Sequence, residues 1–306
     1  MRVDNGIDEV LQEGGVDLNS IDYCIWSHAH FDHRGDVSVF PKSTSLIVGP
    51  GYLSDKERHG GVGDPEAAPE FEGRPLREAQ FDSDLKIGKF RAQDFFGDGS
   101  LYLLDAPGHQ PEHICALART TPSSAPEGST FVFLGGDICH FAGVFRPAPE
   151  APLPDEIPAD AISKRHDWAS RSVCPCTFFT PHHPNAKDED SARTTSWYKL
   201  PEGRHTVYTD LEVAADSVSK MSELDVMDNV MVCLAHDSSL LDIMPVFNKQ
   251  PGKDINKWKS EGWKAKTYWS WLSEVAVDGK KAQEPVVEGF WKDGKQWDYE
   301  AHKASL

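Results

Sequence analysis

The stretch His28-Ala29-His30-Phe31-Asp32-His33 places four candidate metal ligands within six residues. Imidazole nitrogens and a carboxylate at such close spacing suit zinc and similar borderline cations, which take these donors at about 2.0–2.2 Å. Just upstream, Ile21-Asp22-Tyr23-Cys24-Ile25-Trp26 is short, apolar and rich in β-branched and aromatic residues, and it reads as a buried strand. The ligand run therefore leaves a strand end, where the backbone can turn three imidazoles inward. Taken alone, the stretch also admits a surface histidine cluster with no ion.

The same arrangement recurs three times. Leu101-Tyr102-Leu103-Leu104 reads as a strand and is followed by Asp105-Ala106-Pro107-Gly108-His109. Phe131-Val132-Phe133-Leu134 reads as another, followed by Gly135-Gly136-Asp137. Val230-Met231-Val232-Cys233-Leu234-Ala235 is a third, ending at His236-Asp237. Each apolar strand delivers a His or Asp to the loop just past it, and neighbouring glycines let backbone approach a site closely.

With these residues in view, the chain resembles the metallo-β-lactamase fold superfamily of dinuclear hydrolases. The resemblance runs from about Ile21 to Asp237 and implies an αββα sandwich. It assigns His28, His30 and His109 to a first metal ion, and Asp32, His33 and His236 to a second. Asp137 would bridge the pair, and two divalent ions, zinc by the donor set, are the implied cofactors. The commonest zinc β-lactamases carry Cys at the position of Asp137, and the diiron flavoproteins carry Glu at that of His30. Neither occurs here, so the site resembles the glyoxalase II, lactonase and phosphodiesterase branches.

The run Pro107-Gly108-His109-Gln110-Pro111-Glu112-His113 is similar to the Pro-Gly-His-x-Pro-Gly-His turn of N-acyl homoserine lactonases, with Glu112 in place of the second glycine. By that likeness His109 is a ligand and His113 is structural. Lactonases of this kind carry a tyrosine three residues after the bridging Asp, where this chain has His140. An imidazole can also donate there, so His140 is read either as an oxyanion donor or as a cap on its loop.

Two cations held about 3.5–4 Å apart acidify a shared water. The expected reaction is attack of a metal-bridging hydroxide on a lactone or other carboxylic ester, with Asp32 moving the proton to the departing alkoxide. A glyoxalase II-like thioester hydrolase is the main alternative, with the lysines of residues 253–266 holding a carboxylate-rich thiol carrier. A catalytically silent metal-binding relative is another.

Composition limits the partners. A net charge of −18 disfavours nucleic acid, whose binding needs Lys and Arg on phosphates. No apolar run reaches about 18 residues, so no membrane span is expected. The first residues, Met1-Arg2-Val3-Asp4-Asn5-Gly6, contain no apolar leader core, and the expected location is cytoplasmic. Cys24, Cys139 and Cys233 lie in or beside the strands and read as buried thiols; Cys174-Pro175-Cys176 is poorly spaced for a disulfide.

Residues 7–13 read as a short helix, Gly49–Gly99 as a long irregular excursion over the site, and Arg146–Pro158 as an extended connector or lid edge. Leu211, Ala214, Ala215, Val218, Met221 and Leu224 recur at helical spacing over Asp210–Leu224, the stripe of a helix packed on a sheet.

Six of nine tryptophans follow Pro251, so the chain divides into a hydrolase domain over 1–250 and a Trp-rich extension over 251–306 packed on it. Val286–Trp291 and Gln296–Tyr299 around Lys292-Asp293-Gly294-Lys295 read as a hairpin. Only 27 residues precede His28, so the sandwich is expected to be short of its usual N-terminal strands. An exposed sheet edge then favours a homodimer.

Overall fold

The apolar runs read as strands fall in two sheets, one of three strands and one of six. The computed structural model describes residues 5–55, 71, 73–125, 128–157, 179–203, 206–250, 252–275, 290–292 and 295–297. Helix α1 (Ile7–Glu13) leads into strands β1 (Tyr23–Ile25), β2 (Ser45–Val48) and β3 (Leu76–Glu78), which form a parallel sheet in that order. A second sheet runs β4 (Lys86–Ile87), β5 (Phe90–Asp94), β6 (Leu101–Asp105), β7 (Ile114–Thr121), β8 (Thr130–Leu134) and β9 (Val230–Cys233). Its neighbours are antiparallel until β9, which pairs parallel with β8. A parallel pair needs a long crossover, and helix α4 (Leu211–Asp225) lies within it. Between β8 and α4 the described residues include one further α-helix, α3 (Glu189–Thr194), and α2 (Phe31–Arg34) follows β1.

Alternation decides the layers. Ile47 of β2 meets Ala79, Phe81, Leu103 and Ile114 in the seam between the sheets, while Leu46 and Val48 face outward under Trp26, Tyr52 and Phe71. On the larger sheet Leu104, Cys115, Leu117, Phe133 and Val232 point the other way, onto Ala214, Val218, Met221 and Leu224 of α4. Burying each of the large side chains of that stripe contributes about 1.5–3 kcal/mol. Asp210 caps α4, its carboxylate accepting from the Val213 N–H at 3.1 Å. This is the mixed α/β sandwich expected from the sequence. The helical stripe differs at one position, since Ala215 is exposed and Ser217 is buried in its place.

The Trp-rich segment completes the larger sheet. Register pairs Ala118 with Val132 and Val132 with Met231, so Val132 and Met231 share the seam face with Leu103 and Ala116. The three-stranded sheet covers β6 and β7 on that face, and Trp258 and Trp263 cover Val132, Met231 and Cys233. Trp271, Leu272 and Val275 join the core on the opposite face, so residues 258–275 wrap the β9 edge. Helix α5 (Trp263–Thr267) carries Lys264, whose ammonium donates to the carbonyls of Asp225, Met227 (2.6 Å) and Val230 (2.8 Å). Lys259 pairs with Asp228 at 3.0 Å. Two of the lysines read as thiol-carrier contacts are thus anchors of this segment.

Three expectations need correction. The β1 strand is only half-buried, with Tyr23 39% exposed, because it forms an edge of the smaller sheet. The Gly49–Gly99 stretch contains β3, β4 and β5, whose short apolar runs the surrounding Gly, Asp and Glu obscure. Arg146–Pro158 is not a lid edge over its described part: Arg146, Leu153 and Ile157 are buried. Arg146 makes a bidentate pair with Asp225, Nε to Oδ2 at 2.8 Å and Nη2 to Oδ1 at 2.6 Å, with its guanidinium 4.1 Å from the Tyr268 ring centroid. The hairpin pairs β10 (Phe290–Lys292) with β11 (Lys295–Trp297), and residues 286–289, 298 and 299 of the expected strands lie outside the described residues. Residues 174–176 and 293–294 lie outside the described residues. Among the described residues no helix is long and apolar enough to cross a membrane.

Candidate metal centre

All seven predicted ligands converge where the two sheets meet. The end of β1 is tied to the start of β7 by the Ile114 N–H donating to the Ser27 carbonyl at 2.9 Å, and His28 follows, buried. His30 caps the start of helix α2, its carbonyl accepting from the His33 N–H at 3.0 Å; this single turn swings Asp32 and His33 toward one side. His109 leaves β6 through Gly108, which has φ +127° and lies against the α4 backbone, where a Cβ would come within 2.3 Å of Ala214. The loop is clamped to the N-terminus of α4. Asp210 N–H donates to Gly108 O (3.0 Å), Thr209 N–H to His109 O (3.1 Å), and Ser217 Oγ to Pro107 O (2.7 Å). Asp137 follows β8 and His236 follows β9, the latter 42% exposed in its side chain.

The predicted ligands fall into two groups that face one carboxylate, and a third group, Asp137, His140 and His236, overlaps them. His28, His30, His109 and Asp137 form the first, and Asp32, His33 and His236 the second. His109 Nε2 lies 3.2 Å from His28 Nε2 and 3.0 Å from His30 Nδ1. Asp137 Oδ2 faces this group at 3.7 Å from His28 and 3.5 Å from His109. Its Oδ1 faces the other, 3.2 Å from both His33 and His236. Asp32 Oδ2 stands 3.7 Å from each of those two imidazoles. A tetrahedral cation with arms of about 2.0 Å sets its ligand atoms about 3.3 Å apart, so this spacing fits zinc-like ions. Asp137 Oδ1 and His33 Nε2 are buried without a hydrogen bond of normal geometry, as donors aimed at an ion would be.

Electrostatics points the same way. Burial, reinforced by His113, His33 and His109, pushes His28 down to about 2. Burial and the neighbouring His113 push His109 down to about 3, and burial also lowers His30. Burial opposes ionisation of Asp137, but contacts from His140 and His33 outweigh it and hold the carboxyl well below the usual carboxylate range. In His33 the same balance runs upward, Asp137 outweighing burial. Neutral His28, His30 and His109 beside an ionised Asp137 are the protonation states that metal binding requires, whereas His33, shifted upward, would have to give up its proton to an ion.

His113 is not a member of either group. It is fully buried, with Nδ1 3.0 Å from the Ala106 carbonyl and Nε2 accepting the Asp137 N–H at 3.1 Å. The structural reading of His113 matches this geometry, since it buckles the His109 loop to the Asp137 loop. His140 lies beside the centre, Nε2 3.1 Å from Asp137 Oδ2 and Nδ1 2.9 Å from the Tyr208 hydroxyl.

Two partners were not legible in the sequence. The Gln110 amide meets His30 Nε2 at 2.9 Å, and Tyr208 comes from the turn before α4. The contacting atom is Gln110 Nε2, so the amide donates to the ring nitrogen of His30. Neither residue belongs to a pattern that local reading detects.

Comparison with known proteins gives the family. Residues 3–118 match the family described as the Metallo-beta-lactamase superfamily. Gamma-lactamase FDB1 of Fusarium pseudograminearum (strain CS3096) is 37% identical over 94% of this chain and 67% of its own length. Gamma-lactamase MBL2 of Gibberella moniliformis (strain M3125 / FGSC 7600) is 44% identical over 60% of this chain and 75% of its length. The chain spans about two thirds of the length of the first curated relatives it matches. A solved N-acyl homoserine lactone hydrolase with N-hexanoyl-L-homoserine bound superposes with a TM-score of 0.43 at 18% identity, covering 79% of this chain and 66% of that one.

Proposed function

Since the chain belongs to the metallo-beta-lactamase superfamily, we propose that it is a metal-dependent hydrolase that opens a cyclic carboxylic acid derivative, a lactone or a γ-lactam. The observation that carries this reading is Asp137, whose two carboxylate oxygens each face a separate cluster of His and Asp donors. Relatives named for γ-lactams add the cyclic amide to the lactone implied by the Pro-Gly-His turn.

His28, His30, His109 and Asp137 would hold one ion, and Asp32, His33 and His236, again with Asp137, would hold the other. When bound, two such ions supply Lewis acidity toward a carbonyl oxygen and bring the pKa of water toward neutrality. His140 is placed to donate its Nε2–H to the carbonyl oxygen as negative charge develops there. Asp32, beside His33 and His236, takes the proton lost by the nucleophile and returns it to the departing oxygen or nitrogen, which stays tethered in the opened ring. Phe31 and Leu241, 78% and 77% exposed next to ligand-bearing turns, suit an apolar substituent on the substrate.

The test is a panel of lactones, γ-lactams and thioesters, read by mass spectrometry for the gain of water, with His109→Ala as control. Ring opening by the wild type alone supports the proposal, and thiol release without ring opening replaces it with the glyoxalase II-like reaction. An Asp32→Asn protein that keeps both ions and full turnover removes Asp32 from proton transfer.

A further inference from the structure

Helix α4 turns two faces to different surroundings. On one, Gly108 lies against the Ala214 backbone, and Ser217 Oγ donates to the Pro107 carbonyl at 2.7 Å. On the other, about a third of a turn round at roughly 3.6 residues per turn, Leu211, Ala215, Val218, Ser219 and Ser222 line a cavity of about 480 Å³. Its opposite walls come from Val144, Phe145 and Pro147, downstream of His140, and from Tyr198 and Leu200, downstream of α3. None of the seven predicted metal ligands lines it, nor does His140 or Tyr208, so it is a recess separate from the metal centre.

The recess is preformed and apolar at its floor. Phe145, Pro147, Leu200 and Val218 are buried. The Tyr198 wall is pinned, because Trp197 and Tyr198 both donate their N–H to the Gly143 carbonyl at 3.0 Å and the Tyr198 ring stands edge-on to Phe141 at 5.3 Å. Its size falls within the roughly 300–1,000 Å³ of small-molecule sites. The hydroxyls of Thr194 and Thr195 are already committed, each donating at 2.7 Å to a carbonyl one turn back. By contrast, the hydroxyls of Ser196, Tyr198, Ser219 and Ser222 and the Lys199 ammonium make no hydrogen bond or ion pair within the described residues.

The chemistry of a ligand follows from this inventory. Five donor-bearing groups around an apolar floor suit an apolar body that carries an acceptor-rich group, and a carboxylate is such a group. Lys199 stands between the pinned Tyr198 and the buried Leu200, so the fixed wall places the cation. Glu202 also lines the cavity, and its effect on affinity tells an anionic ligand from a cationic one. We propose that this cavity is a second binding site, separate from the metal centre, for a small carboxylic acid with an apolar body. The carboxylate meets Lys199, and the body lies between Val218 of α4 and Phe145, Pro147 and Leu200. The proposal stands on the cavity and does not depend on the hydrolase reading.

The experiment titrates the zinc-loaded protein with naphthalene-2-carboxylate and with decanoate by calorimetry, each against its uncharged carboxamide. Ala215→Phe puts a ring into the recess from an exposed helix position and should weaken binding about tenfold or more, since it takes apolar surface the ligand would bury. Lys199→Met should weaken the acids about two- to fivefold, as expected for a rim charge, and leave the carboxamides unchanged. Glu202→Gln should leave the acids bound equally or more tightly, and His109→Ala should bind them like the wild type. Lys199→Met lies on the exposed rim and decides the matter if Ala215→Phe disturbs the fold. Four results overturn the proposal: neither acid binds at millimolar concentration, a folded Ala215→Phe or Lys199→Met protein binds both acids unchanged, Glu202→Gln weakens them, or His109→Ala abolishes binding because the metal centre held them.

Discussion

Replacing His113 separates a structural buckle from a metal ligand. Its imidazole is fully buried and neutral at pH 7, since burial pushes it down to about 4. It joins the Ala106 carbonyl to the Asp137 N–H. His113→Ala strands both buried backbone groups, and at about 1–3 kcal/mol for each unsatisfied group the loss is about 2–6 kcal/mol, before any cavity term. His113→Asn can keep a donor near the Nδ1 position and should lose roughly half of that, about 1–3 kcal/mol. Equilibrium urea unfolding of the chelated protein measures this without metal linkage, and metal analysis follows on the same samples. The metal-loaded variants should still take two ions, with affinity reduced about 10–100-fold because the Asp137 backbone is no longer pinned. A His113→Ala protein with an unchanged urea midpoint and one ion fewer would refute the reasoning and make His113 a ligand.

Other expectations follow from the same contacts. Arg146→Met should cost about 3–5 kcal/mol in thermal or urea unfolding, because it leaves the buried Asp225 carboxyl without its guanidinium partner, and adding Asp225→Leu should restore much of it. Gly108→Ala forces a Cβ into the α4 backbone at a left-handed φ, so metal analysis should show loss of the first ion even where circular dichroism shows retained fold. Burial holds Lys264 down to about 8, against an ordinary 10.5 in the unfolded chain. Between those values the unfolded chain binds the extra proton, so stability should rise with pH across that window by about 1–3 kcal/mol, and Lys264→Met should flatten the rise in a pH series of urea midpoints.

The metal donors were legible because each sits at a strand exit, and an apolar run followed by a glycine-flanked His or Asp is a local property. Helix α4 was legible for the same reason, its period and its Asp210 cap both lying within one segment. Residues that act across the fold were not. Tyr208 and Gln110 matter because loops far apart in sequence meet. Arg146 sits in a proline-rich stretch that reads as solvent-facing until Asp225 is brought to it. Only the register of β8 with β9 reveals that Trp258 and Trp263 cover the face shared by Val132 and Met231.

The most direct test of the central claim is metal content and ring-opening turnover measured on one sample, before and after chelation. The account predicts two divalent ions per chain, hydrolysis of a lactone or γ-lactam that disappears with their removal, and its return on adding zinc. Hydrolysis that persists at full rate after both ions are gone would contradict it.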